Sequence, residues 1–124
     1  MSKSLTAKKL LFISRKAPYG CAAAKECIDA LLAASAYQQD IGLLFMGDGV
    51  FQLKKDQQPE TGRQKNISAT LSVLPMYDVE DIYLQASALA ERGLTVKDLV
   101  MPVKSLSNNE IHELMAQQDQ LLSF

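Results

Sequence analysis

KKLLFISRKAPYGCAAAKECIDALLAASAYQQDIGLLFMGDGVFQL, residues 8–53, decides the fold. Lys9 to Ser14 reads as a short strand whose continuous apolar run, Leu10 to Ile13, is the pattern of an inner parallel strand buried on both faces. Arg15 to Gly20 is the turn after it. From Cys21 to about Tyr37, residues Ala24, Cys27, Ile28, Leu31 and Ser35 recur at three- and four-residue spacing, the stripe of a small-residue helix that lies close on a sheet. Lys25 and Asp29 support its outer face as an i, i+4 pair. Ile41 to Met46 repeats the buried-strand pattern, and Gly47-Asp48-Gly49 ends it. Strand, helix, strand in that order is a βαβ unit, which commits the chain to an α/β sheet. Such sheets bind ligands outside the carboxyl ends of their strands. Chemistry is therefore sought near Arg15 to Cys21, Gly47 to Val50 and Gln85 to Ser87.

Outward from this unit the alternation continues. A short helix is expected over about Val50 to Leu53, and Lys54 to Arg63, with Pro59 and Gly62, reads as a polar surface loop. Ile67, Leu71 and Leu74 form a helical stripe that Pro75 interrupts. Asp81 to Gln85 supplies a third strand through Ile82, Tyr83 and Leu84. Ser87 to Arg92 is a short helix ended by Gly93, a residue suited to the left-handed C-cap. Val100 to Val103 is expected as a fourth strand. Ser107 to Gln118 is a helix opened by a capping box of Ser107 and Glu110. Gln120 to Phe124 can form a fifth strand that ties down the last residues. The pattern predicts an α/β fold with a parallel sheet covered on both faces.

With 124 residues, 48% of them hydrophobic and 22% charged, the chain has the size and composition of one ordinary globular domain spanning 1–124, with residues 1–7 expected to be loose. A formal charge of −1 and a pI near 5.8 argue against direct nucleic-acid binding, which needs a basic excess on one face. Lys3, Lys8, Lys9, Arg15, Lys16 and Lys25 all precede the first acid, Glu26; a solvated strand flank is the favoured reading over a docking patch for an acidic partner. No run approaches a signal-peptide core or a membrane span, so no membrane association is expected and a cytoplasmic location is.

Few residues invite chemistry. Gly47-Asp48-Gly49 lacks the third glycine of a dinucleotide fingerprint, Gln52 standing in its place, and follows the second strand rather than the first. The favoured reading is a tight turn whose Asp48 caps the next helix. His112, the one histidine, has Glu110 and Glu113 beside it and no second ligand at metal spacing. Cys21 and Cys27 lie six positions apart on one expected helix, about 9 Å along its axis. A disulfide needs less than about 7 Å, so they do not pair while the helix is intact. A helix N-terminus with Lys16 or Lys25 nearby would activate Cys21, whereas Ala22 to Ala24 give it an apolar setting. Cys27 sits on the apolar stripe, where burial raises a thiol pKa. Neither a Gly-x-Ser-x-Gly elbow nor a phosphate-binding loop occurs.

Several segments, in order and at matching spacing, resemble the DsrE/DsrF-like sulfur-relay family, and within it the TusC (DsrF) subunit type. They are Ala17-Pro18-Tyr19-Gly20 before an Ala-rich helix ending Ala30-Leu31-Leu32-Ala33, the run Phe45-Met46-Gly47-Asp48-Gly49-Val50-Phe51-Gln52-Leu53, Met76-Tyr77-Asp78, Ala88-Leu89-Ala90-Glu91-Arg92-Gly93-Leu94, and the terminal Leu121 to Phe124. The resemblance implies a three-layer α/β/α fold with a five-stranded parallel sheet, in a cytoplasmic heterohexamer that is a dimer of trimers with TusB-like and TusD-like subunits. It implies a relay of persulfide sulfur from a TusA-like donor to a TusE-like acceptor for 2-thiolation of the tRNA wobble uridine, or, in a DsrEFH complex, a part in oxidative sulfur metabolism. No cofactor and no metal are implied.

One departure bears on mechanism. In the active TusD-like subunit of such complexes a cysteine stands at the end of the third strand, eight residues before the glycine of the Arg-Gly pair. The matching position here is Gln85. An amide cannot carry a persulfide, which needs a polarisable thiolate. The resemblance therefore implies a subunit without a catalytic residue of its own, set against a sulfur carrier using Cys21 or Cys27. A flavodoxin-like binding domain is a third reading, and a colourless pure protein would count against its flavin. Phe51, Leu53, Met76 and Tyr77, apolar residues beside turn signals, are candidates for a subunit interface, with core packing an equal alternative.

Overall fold

Parallel pairing fixes the architecture. In this computed structural model, which describes residues 7–18, 22–37, 39–55 and 70–124, five strands form one parallel sheet in the order β4-β3-β2-β1-β5. They are β1 (Lys9–Ser14), β2 (Asp40–Phe45), β3 (Asp81–Gln85), β4 (Lys104–Leu106) and β5 (Gln120–Ser123). Among the described residues they are accompanied by the α-helices α1 (Ala23–Ser35), α2 (Ala86–Glu91) and α3 (Asn108–Ala116). The register sets Phe12 against Leu43 and Leu122, and Leu43 against Ile82.

The two faces are covered unequally. From β1 to β4 the chain steps across the sheet in one direction, and on one face the described parts of its connections cover it, Phe12, Leu43, Phe45 and Leu84 packing with Ile28 and Leu31 of α1, Leu89 of α2, and Leu53, Leu71, Leu74 and Leu99. The last crossover returns over the whole sheet from β4 to β5. Keeping the same right-handed sense places its helix, α3, on the opposite face. There Ile111, Leu114 and Met115 cover Leu11, Ile13 and Leu44. Each fully buried Leu, Ile or Phe contributes about 1.5–3 kcal/mol of transfer free energy, so these side chains fix which face each strand residue takes.

β1 and β3 lie where the sequence pattern puts them, and α3 carries its capping box, Ser107 Oγ accepting from Glu110 N at 3.2 Å while Glu110 accepts from Ser107 N at 2.9 Å. Gly93 has φ +67° and closes α2, with Gly93 N donating to Ala90 O at 3.0 Å and Leu94 N to Leu89 O at 3.1 Å. Two expectations are corrected. The fourth strand is Lys104–Leu106, not Val100 to Val103. Pro102 has no N–H for a ladder, and this apolar run instead lines a groove of about 430 Å³ with Lys55, Val96 and Leu99. Val100 N donates to Leu53 O at 2.7 Å there. The helical stretch that reaches Leu71 ends before Pro75, which lies in the first turn of the 3-10 helix Leu74–Tyr77, a position where its missing N–H costs nothing. Asp48 caps no helix: the 3-10 helix Gly47–Leu53 begins one residue earlier, with Met46 at its N-cap.

Cys21, Ile67, residues 1–6 of the segment expected to be loose, and residues 56–63 of the polar loop lie outside the described residues.

Candidate functional site at the carboxyl ends of the strands

The ends of β1, β2 and β3 converge on the turn at Gly47. Gly47 has φ +54°, which favours glycine, and its N–H donates to Gln85 Oε1 at 3.1 Å. Gln85 Nε2 in turn donates to Asn108 Oδ1 at 3.2 Å. The half-buried Gln85 amide thus bridges the glycine turn after β2 and the first turn of α3. Both ends of the amide are engaged.

Arg92 locks the same turn from α2. Its Nε and one terminal nitrogen donate to Asp48 Oδ1 at 3.0 and 2.9 Å, its other terminal nitrogen donates to Ala88 O at 3.0 Å, and its guanidinium lies over the Phe51 ring at 6.0 Å. Asp48 therefore holds a cation rather than backbone N–H groups. Gly49 lies against the end of β1, and the space a Cβ would need is filled by Ser14 O and Ser14 C.

Beneath the turn is a buried polar group. Gln52 is fully enclosed and donates to Ser14 Oγ at 2.6 Å and to Lys16 O at 2.9 Å. The Ser14 hydroxyl is also hydrogen-bonded with Cys27. Burial pushes the Cys27 thiol up to about 12, a shift that the Ser14 hydrogen bond opposes only in part. A fully enclosed thiol that keeps its proton at neutral pH is neither a nucleophile nor an accessible sulfur acceptor.

Of the other residues singled out, His112 is exposed on α3 and Lys25 pairs with Asp29 at 2.8 Å on the outer face of α1. Lys8 and Lys9 stand at one end of β1 and Arg15 and Lys16 at the other, about 20 Å apart along a six-residue strand, so these cations form no single patch. Among the interface candidates, Leu53 is fully buried and belongs to the core, and Phe51 is half-buried under Arg92. Met76 and Tyr77 are exposed. Sequence reasoning missed Ser14, Asn108 and the Arg92–Asp48 pair. The one available signal was the Asp48 to Arg92 juxtaposition that parallel β2 and β3 impose once their ends are adjacent. Among the described residues no cluster of three His, Cys, Asp or Glu could hold a metal ion, and no helix is long and apolar enough to cross a membrane.

Comparison with known proteins follows these features. The chain is 42% identical over 116 residues to the protein TusC homolog of Vibrio parahaemolyticus, and 39% and 38% identical to the TusC homologs of Aliivibrio fischeri and Pseudomonas aeruginosa, each alignment covering 94% of this chain and 98% of the relative. The crystal structure of the ychN protein from E. coli superposes with a TM-score of 0.82, covering 94% of this chain and 99% of that one at 24% identity, which establishes the fold. The model of the DsrE/DsrF-like family matches residues 8–124. By this match and by the identity to its TusC homologs, the chain belongs to the DsrE/DsrF-like family.

Proposed function

We propose that this chain is a non-catalytic subunit of a TusBCD-like sulfurtransferase complex, one that relays persulfide sulfur for 2-thiolation of the tRNA wobble uridine. The observation that carries the reading is Gln85. At the end of β3, where the resemblance puts the active subunit's cysteine, stands an amide whose oxygen and nitrogen are both committed, to Gly47 N and Asn108 Oδ1. The chain's contribution is then shape: it holds the glycine turn, α2 and α3 in one arrangement and presents a surface to TusB-like and TusD-like partners in a cytoplasmic dimer of trimers. The TusA-like donor and TusE-like acceptor act through the complex. The TusC name of the relatives favours tRNA thiolation over the DsrEFH-type role in sulfur oxidation.

The test is co-expression with the TusB-like and TusD-like chains, loading with a persulfide donor, and intact mass spectrometry of each subunit. The expected result is co-purification with both partners and no sulfur adduct on this chain. An adduct of one sulfur atom that disappears with Cys21→Ser would instead make this chain a carrier.

A further inference from the structure

The loop that leaves β1 is tethered by a distant side chain rather than by its own backbone. Arg15 and Lys16 are exposed and Pro18 is buried. Among the described residues, the one hydrogen bond made by Lys16, Ala17 and Pro18 is the bond that Lys16 O accepts from Gln52 Nε2 at 2.9 Å. Gln52 stands 36 positions further along the chain, fully enclosed in the 3-10 helix Gly47–Leu53. The same nitrogen donates to Ser14 Oγ at 2.6 Å, and Arg15 N, between the two contacts, donates to Phe124 O at 3.1 Å.

Stability alone does not call for glutamine here. Burying a primary amide has a desolvation cost that its hydrogen bonds only offset, and an apolar side chain of the same length would fill the space as well. An apolar chain would not, however, bind two fixed points, the last residue of β1 and the loop two residues beyond it. The 3-10 helix that carries Gln52 begins at the Gly47 turn, so the amide ties the loop to that turn. The two already lie close: a Cβ added at Gly47 would stand 3.9 Å from Arg15 O.

We infer that Gln52 is a conformational latch: its amide holds residues 15–18 against the Gly47–Leu53 helix and so sets where the exposed cations Arg15 and Lys16 stand at the carboxyl end of the sheet. Gln52 is a positioning residue and does no chemistry itself. A molecule that meets this end of the sheet finds the loop already placed, and less freedom is lost in ordering it. The latch is a property of the single chain and stands apart from the subunit reading.

The experiment digests the full chain with trypsin under native conditions and follows cleavage after Arg15 and Lys16 by mass spectrometry, with cleavage after Lys104 in β4 as the reference for general loosening. Gln52→Met keeps the side-chain length and removes both hydrogen bonds; Ser14→Ala removes the hydroxyl but leaves Gln52 its bond to Lys16 O. Gln52→Met should speed cleavage after Arg15 and Lys16 about fivefold or more, the factor of one lost hydrogen bond, with no matching rise after Lys104. Ser14→Ala should change it by less than about twofold. No acceleration in Gln52→Met, acceleration that Lys104 shares, or equal acceleration in Ser14→Ala would each overturn the latch. If Gln52→Met does not fold, the wild-type chain decides by nuclear magnetic resonance. The Gln52 side-chain amide hydrogens should exchange at least about a hundredfold more slowly than those of the exposed Gln117, and equal rates would overturn the inference.

Discussion

Gly49→Ala isolates steric contact from backbone conformation. Gly49 does not have a left-handed φ, so alanine meets no torsional penalty there. Its Cβ would instead overlap Ser14 O and stand 2.8 Å from Ser14 C and 3.3 Å from Arg15 Cα. These are backbone atoms of a central strand, and no side chain can rotate away. Either the end of β1 or the Gly47 turn must move by about an ångström, which breaks Met46 N to Ser14 O (3.1 Å) and disturbs Gln52 Nε2 to Ser14 Oγ (2.6 Å). Overpacking of about 1–3 kcal/mol and two weakened hydrogen bonds of about 1 kcal/mol each give a loss of about 3–5 kcal/mol. A domain of this length has roughly 6–19 kcal/mol to lose. The melting temperature should fall by about 12–20 °C at about 4 °C per kcal/mol. Gly93→Ala is the matched control: φ is +67° but nothing lies within 4 Å of the added methyl, so only the torsional cost of about 1 kcal/mol applies. Urea denaturation of both variants checks the ordering. A Gly49→Ala loss below about 1 kcal/mol, or below that of Gly93→Ala, refutes the reasoning.

Three further outcomes can be measured. The unfolded Cys27 thiol deprotonates near pH 9.0 and the folded one only near about 12. Its contribution is therefore complete below about pH 9 and is lost as pH rises toward 12, at about 1.4 kcal/mol per pH unit; urea melts across that range should show a steeper fall in wild type than in Cys27→Ala, where the raised pKa of Tyr83 still contributes. Removing Arg92 with alanine should cost about 1–2 kcal/mol, more than Asp48→Ala, since it also loses the Ala88 carbonyl bond and the Phe51 ring contact; a double-mutant cycle should give a coupling of about 0.5–1 kcal/mol that shrinks with salt. Ser107→Ala opens the capping box and should cost about 1 kcal/mol by the same melts, with Ser107→Thr largely neutral.

The sequence pattern was most legible where one physical requirement dominated. Leu10 to Ile13 and Ile82 to Leu84 had to be buried on a sheet, and Ser107 with Glu110 had to satisfy N–H groups at a helix start, so β1, β3 and α3 were placed closely. Val100 to Val103 misled because apolar, β-branched residues next to a proline cover a core as readily as they pair in a ladder. Leu53 was open for the same reason: periodicity says that a residue is apolar, not which neighbour covers it. At the site, Gln85 was visible only through the family's cysteine. Its bonds to Gly47 and Asn108 join residues 38 and 23 positions away, and local pattern carries no trace of such distant pairs. Asp48 was misread because the capping preference of Asp is local, whereas Arg92 reaches it only after β2 and β3 lie together.

The strand order has a consequence for how the chain assembles. β1, β2 and β3 can pair progressively along the sequence, but β5 must find β1 across a separation seen in the bond from Lys9 N to Asp119 Oδ2, 110 positions apart. Closing so long a loop costs more entropy than any other pairing in the sheet and slows the search. The α3–β5 unit therefore docks late in folding and opens early, and while it is away Leu11, Ile13 and Leu44 lose their cover. Hydrogen exchange in β5 should outpace that in β2, and the strand row beneath α3 is where an incompletely folded chain would stick to others.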